Sequence, residues 1–328
     1  MVIEPNCFAA RPGAARLVLR CILVSGFICA SMVSEHVHAG NYSRAYAVNS
    51  LDLPVNLTQT SGYAIDLNGD GHVDNAFGGI LSALSSTGLD VSGATAAATT
   101  AGQIVHLVEV RSSDEAFTND AGAEAIWYIG NATPSPPLFD GTGTFAYDGD
   151  YAPSTFFAPL SGGGFVSANP ATTTTPVDIT VDIQIGNYVV ALPLQGARLK
   201  FLALGSGLVQ GQINGSIRDT DVYVKIFPTL ADAFNDIVQA DPQSATAQTL
   251  LSLFDKNPTD GFISVEEVAT SPFMSTLFAP DVQIRDADGN YAPNPANTNP
   301  DALSFGFGFS AVESNVVLPP IFANGFDK

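Results

Sequence analysis

Asp66, Asn68, Asp70 and Asp74 occupy positions one, three, five and nine of the run Asp66-Leu67-Asn68-Gly69-Asp70-Gly71-His72-Val73-Asp74. Hard oxygen donors at alternating positions suit calcium, which takes roughly six to eight oxygens in a flexible shell. Gly71 at position six permits the sharp reversal that brings such donors together. His72 at position seven offers its backbone carbonyl, and Val73 at position eight is expected to point inward as an apolar pin. Position twelve is Phe77, so the bidentate carboxylate that closes an EF-hand is missing. The affinity expected of so open a loop is about 10⁻⁴ to 10⁻³ M, as in extracellular modules.

A second acidic run spans Asp255-Lys256-Asn257-Pro258-Thr259-Asp260-Gly261-Phe262-Ile263-Ser264-Val265-Glu266-Glu267. Counted back from Gly261 it matches an EF-hand, with Asp260 before the glycine, Ile263 two beyond it and Glu267 six beyond it. Counted forward from Asp255 it holds one residue too many. It is either an EF-hand with an insertion or a relic that no longer binds. As a site it uses the side chains of Asp255, Asn257 and Asp260, the Phe262 carbonyl and a bidentate Glu267. As a plain corner it joins two helices through a capping aspartate. A third acidic stretch, Asp281-Val282-Gln283-Ile284-Arg285-Asp286-Ala287-Asp288-Gly289-Asn290, holds Asp286-Ala287-Asp288-Gly289-Asn290, which reads as a turn, with a metal site as the lesser alternative.

Catalytic motifs are sparse. Beyond the first 39 residues the histidines are His72 and His106. A triad would need His106 beside a poised serine, and no Gly-x-Ser-x-Gly elbow is present. A His-Glu-x-x-His helix and a P-loop are also missing. Asp148 with Asp150, or Asp178 with Asp182, form carboxylate pairs of the glycosidase kind, but so acidic a chain produces such pairs by chance. Catalysis is not expected.

The chain of 328 residues carries a formal charge of −20. Such a surface repels nucleic acid and attracts cations. Arg11, Arg16 and Arg20, the apolar run Cys21–Val33 and the small-residue site Val37-His38-Ala39 compose a secretory signal. The run is shorter than the roughly 20 residues that cross a bilayer. Cys7, Cys21 and Cys29 all fall within that leader, so no disulfide staples the rest and a bound metal is an alternative staple. The expected location is secreted or periplasmic, without an integral membrane segment.

The elements that must position these loops are mostly strands. Ile104–Val110 and Ala125–Ile129 are rich in branched and aromatic residues. Ser92–Gly102 reads as a loose loop and 131–176 as an irregular excursion rich in Pro, Gly and Thr. Val177, Ile179, Val181, Ile183 and Ile185 alternate with polar residues, predicting a strand with one buried and one wet face. A turn is expected at Gln195-Gly196, with strands at Leu208–Ile217 and Asp221–Phe227 continuing a meander. A helix capped by Thr229 follows, then one starting at Asp241-Pro242, and a final strand over Ala302–Ser310. The expected fold is mainly β (α+β), an antiparallel sheet or sandwich with a small C-terminal helical EF-hand-like segment. Residues 1–39 are the signal, 40–227 the β-rich domain, and 228–328 the helical segment and last strand, packed on the same body.

Several segments resemble those of uncharacterised secreted bacterial proteins with EF-hand-like or integrin-type calcium loops on a β-rich body. The similar pieces are Asp66–Asp74 with Asn75-Ala76-Phe77-Gly78-Gly79, Asp260–Glu267, Ala279-Pro280-Asp281-Val282 and Asp301–Gly306; the end, Ile321–Asp327, is similar to a tail on other exported proteins. The resemblance implies calcium loops and no enzymatic activity. The sequence therefore reads as a secreted calcium-binding protein of structural or binding type, with calcium and an unidentified extracellular or cell-surface ligand as partners. Two alternatives stand beside it. One is a lipid- or hydrophobe-binding module using the Leu199–Ile217 meander and the helix after it. The other is a carbohydrate-active enzyme with Trp127 or tyrosines as a sugar platform.

Overall fold

The computed structural model describes residues 42–85 and 88–317. The expected leader with its cleavage site and the tail Ile321–Asp327 lie outside the described residues. Strand β1 (Tyr42–Asp52) leads to helices α1 (Leu57–Gly62), α2 (Ala76–Ser85) and α3 (Val91–Ala101). Then come β2 (His106–Ser112), β3 (Asn119–Ile129), β4 (Thr144–Ala146), β5 (Ser154–Ser161), β6 (Gly164–Val166), β7 (Ile179–Ile185), β8 (Tyr188–Leu204) and β9 (Gly207–Arg218). A short helix α4 (Asp219–Asp221), a π-helical turn (Val222–Ile226) and α5 (Phe227–Ala240) run on without a break. Helices α6 (Ala245–Phe254), α7 (Val265–Thr270) and α8 (Pro272–Leu277) precede β10 (Ala302–Glu313) and β11 (Asn315–Val317).

Nine strands form one antiparallel sheet in the order β6-β5-β3-β2-β1-β10-β9-β8-β7. Short β6 also pairs with β8, Phe165 opposite Phe201, so eight strands close into a ring and β7 extends it along the first half of β8. Closure removes exposed edges, which otherwise template aggregation. The body is β-rich and its nine-stranded sheet is antiparallel, as expected; a small parallel pair, β4 with β11, stands beside it. Period-two burial fills the ring from one face: Tyr46, Val48, Val108, Val110, Trp127, Phe156, Phe201 and Phe309 belong to a single core. Leu230 and Phe234 of α5, Phe254 of α6, Val268 of α7 and Met274 of α8 join that same core, so the C-terminal helices pack on the strands.

Among the described residues β7 has one edge without a strand partner, and side chains finish it. Trp127 donates its indole N–H to the Thr180 carbonyl at 3.0 Å. The Asp182 N–H donates to His106 Nε2 at 2.9 Å, and the Gln184 N–H to Thr95 Oγ1 at 2.9 Å. His106 is thus a buried acceptor, and burial holds its pKa down at about 3, well below the usual imidazole range. Trp127 is 2% exposed, which excludes it as a surface sugar platform.

Several local expectations are corrected. Ser92–Gly102 is helical, not loose: Asp90 caps the Gly93 N–H and Gly102 leaves through a left-handed φ of 73°. The excursion 131–176 contributes β4, β5 and β6. β8 runs through Gln195-Gly196 as a register irregularity, not a turn. Val222–Ile226 is a π-helical turn and not a strand, so α5 begins before Thr229, with Pro228 in its first turn. α6 is capped by Ser244 and starts later than Asp241. The polar face of β7 is not wet, since Asp182 and Gln184 are 9% and 8% exposed. Leu199, Phe201, Leu208, Ile213 and Ile217 pack into the common core.

The edge cap makes a direct prediction. Thr95→Val keeps shape and removes the acceptor for the Gln184 N–H. The loss expected in urea denaturation is about 1–3 kcal/mol, the cost of an orphaned buried donor.

Candidate metal centre

The first acidic loop starts from an isolated antiparallel bridge between Ile65 and Asp74, whose N–H donates to the Ile65 carbonyl at 2.8 Å. Between them the loop is braced by its own side chains. Asp66 accepts from the N–H groups of Gly69 at 2.6 Å and Gly71 at 2.9 Å. Asn68 accepts from the Asp70 N–H at 3.1 Å, and Asp70 from the His72 N–H at 2.8 Å and the Asn68 amide at 3.3 Å. Asp74 accepts from the Leu67 N–H at 3.0 Å. Gly69 and Gly71 sit at φ 85° and 86°, a region that side-chain-bearing residues avoid.

An ionised carboxylate has about four acceptor positions. Asp66 and Asp70 each use two and Asp74 one, so oxygen lone pairs remain for a cation. Asn68 is buried at 1% exposure. The inward apolar pin is Leu67, 2% exposed, and not Val73, which is 65% exposed. Leu67 packs with Ile65 against Val282, Ile284, Ala302 and Tyr291, so the first and third acidic stretches share a small core of their own.

That packing brings in Asp281, which was not among the expected ligands. It accepts from the Ser304 N–H at 2.8 Å and from the Ser304 hydroxyl, while Ser304 Oγ accepts from the Ala76 N–H at 2.7 Å. Burial pushes the Asp281 carboxyl up, against these Ser304 bonds. Asp74 is pushed up to about 6, by burial first, against the Leu67 bond, and then by the charges of Asp281, Asp70 and Asp66. Among the described residues Asp74 forms no ion pair. The signal for Asp281 in the sequence is its place in the third acidic stretch, but only tertiary packing couples it to Asp74.

The second loop uses its carboxylates differently. Asp255 accepts from the N–H groups of Asp260 at 3.0 Å and Gly261 at 2.9 Å. Asp260 accepts from the Phe262 N–H at 3.0 Å. Glu267 accepts four donors: the N–H groups of Lys256, Asn257 and Ser264 and the Ser264 hydroxyl, at 2.8 to 2.9 Å. It thereby closes a capping box on α7. Burial works to raise its pKa, but the Ser264, Asn257 and Lys256 bonds outweigh that and hold it at about 2. Phe262 is exposed, while Ile263 is fully buried and pairs its N–H and carbonyl with the Asn235 carboxamide at 2.9 and 2.7 Å. Segment 286–290 is a turn, with Asp286 accepting from the Asp288 and Asn290 N–H groups.

Among the described residues no group of three or more His, Cys, Asp or Glu side chains is gathered as a bound metal ion requires. Asp66 and Asp70 turn toward the N–H groups of their own loop and not toward a common centre. Comparison with known protein families, curated proteins and solved structures finds no match to this chain.

Asn75, next to Asp74, fixes the loop to the ring. Its carboxamide donates to the carbonyls of Thr60 and Gly306 and accepts from the N–H groups of Gly78 and Gly306, all at 2.9 to 3.1 Å. Asn75→Ala removes four bonds at a buried position. A loss of about 2–4 kcal/mol is expected in chemical denaturation, from the orphaned Gly306 and Gly78 groups.

Proposed function

We propose that this chain is a secreted, calcium-stabilised protein of binding or structural type, with one calcium ion held by the Asp66–Asp74 loop. The observation that supports it is the gathering of negative charge on Asp74. Asp66, Asp70 and Asp281 all act on it, and among the described residues Asp74 forms no ion pair. A divalent cation relieves that charge, with Asp66, Asn68, Asp70, Asp74 and the His72 carbonyl as its oxygen donors. Binding then requires Asp66 and Asp70 to turn their free lone pairs toward a common centre. The ion would clip the loop to β10 through Asn75 and Ser304, in a chain whose cysteines all lie in the leader.

We read the second loop as a hydrogen-bonded corner of the helical segment. Calcium at Asp255, Asn257, Asp260, Phe262 and Glu267 would have to displace every donor that Glu267 already holds. Export rests on the leader up to Ala39. Among the described residues no helix is long and apolar enough to cross a membrane, which says nothing of strands. The extracellular ligand is of unidentified chemistry in this reading.

Calcium calorimetry on the full chain tests it. One site per chain is expected, with a dissociation constant of about 10⁻⁴ to 10⁻³ M and a rise in melting temperature at millimolar calcium. Asp70→Ala should abolish the heat and the thermal shift, while Glu267→Gln should leave the stoichiometry at one. Glu267→Gln should also destabilise by about 1 kcal/mol with or without calcium, through the weakened capping box. Wild-type protein with no heat and no thermal shift would remove the calcium reading.

A further inference from the structure

The π-helical turn Val222–Ile226 turns two apolar neighbours outward, Tyr223 at 50% and Val224 at 62% exposure. Such turns are rare and often mark functional positions. Tyr223 stands edge-on to Phe227 with ring centroids 6.1 Å apart, and Phe227 edge-on to Phe278 at 5.3 Å. The three rings line a groove of about 400 Å³ together with Val222, Ser275 and Asp219. That volume lies in the range of small-ligand sites, about 300–1,000 Å³.

The charged side chain that lines this groove is acidic. Asp219 lies in its wall with a 55% exposed side chain; Oδ1 accepts from the Thr220 N–H at 2.7 Å and lies 3.9 Å from Arg285 Nη2. Arg285 is already held by Asp301 at 2.7 Å and donates to Gln195 at 3.0 Å. Glu266 stands with Oε2 3.5 Å from the Tyr223 hydroxyl. Lys225, on the same turn, donates to the Ala191 carbonyl at 2.9 Å, and Arg218 is bound to Asp221 at 2.6 Å. Lys225 and Arg218 point to Ala191 and Asp221, which are not among the groove's lining residues, while Asp219 is, and Glu266 stands beside Tyr223. An anionic ligand is repelled by these carboxylates and by the net charge of −20. Ring faces with carboxylates beside them attract organic cations.

We propose that this groove binds a small alkylammonium ligand, the charged head between Tyr223 and Asp219 and the alkyl part against Val222, Phe227 and Phe278. The site does not depend on the calcium loop. Titration calorimetry of the full chain with choline, with n-butylammonium and with 3,3-dimethylbutan-1-ol, the neutral isostere of choline, tests it. Saturable binding of at least one cation is expected, with the neutral isostere weaker than choline by about threefold to fivefold or more. Choline bound more tightly than n-butylammonium identifies a quaternary head as the preferred source, and the reverse order a primary amine. Tyr223→Leu, which keeps apolar volume without the ring, and Asp219→Asn should each weaken the cation by about threefold to fivefold. Both side chains are exposed, and an unchanged urea midpoint verifies that the variants are folded. No saturable binding of either cation, equal binding of choline and its isostere, or full affinity in both variants would overturn the proposal.

Discussion

Two hydrogen bonds between the Asn75 carboxamide and the backbone of Gly306 hold the acidic loop where it is. Asn75 matches the N–H and the carbonyl of one β10 residue as a neighbouring strand would. The contact needs glycine: a Cβ at Gly306 would run into the Tyr63 carbonyl oxygen, and one at Gly308 into the Tyr63 ring. From this anchor the rest follows. Ala76 reaches Ser304, Ser304 reaches Asp281, and Asp281 stands within electrostatic range of Asp74. Asn235 does the same for the second loop, gripping both backbone groups of Ile263. Each acidic loop is thus pinned by one buried asparagine.

The two loops differ in what their carboxylates still have to offer. In the second, four donors exhaust Glu267, and the result is a closed corner on α7. In the first, Asp66, Asp70 and Asp74 keep oxygens in reserve while repelling one another across a partly buried space. Charge gathered without a partner is costly in proportion to its burial, and Asp74 responds by holding its proton more tightly. A cation is the other way to relieve the same repulsion.

The legible parts of the sequence were those decided locally. The Gly71 turn, the alternation of β7 and the strand nature of β2, β3 and β10 rest on residues close in the chain. The unreadable parts were decided across it. β6 closes the ring with three residues, too few to show a period. Val222–Ile226 has a branched, strand-like composition, yet it continues straight into α5 and its Val222 and Ile226 are buried in the common core. The polar face of β7 is buried by tertiary packing that alternation cannot reveal. Val73 was read as the pin from its position in the loop, but Leu67 is the residue that faces Val282 and Ile284. α3 is marked locally at both ends, by the Asp90 cap and by Gly102.

In the calcium reading proposed above, the Asp66–Asp74 loop turns its remaining carboxylate oxygens toward one ion. A crystal structure of the protein grown in millimolar calcium tests this most directly. An ion is predicted among Asp66, Asn68, Asp70, the His72 carbonyl and Asp74, with oxygens at about 2.3–2.6 Å. The same loop with its N–H bonds unchanged and no ion at its centre would contradict the claim.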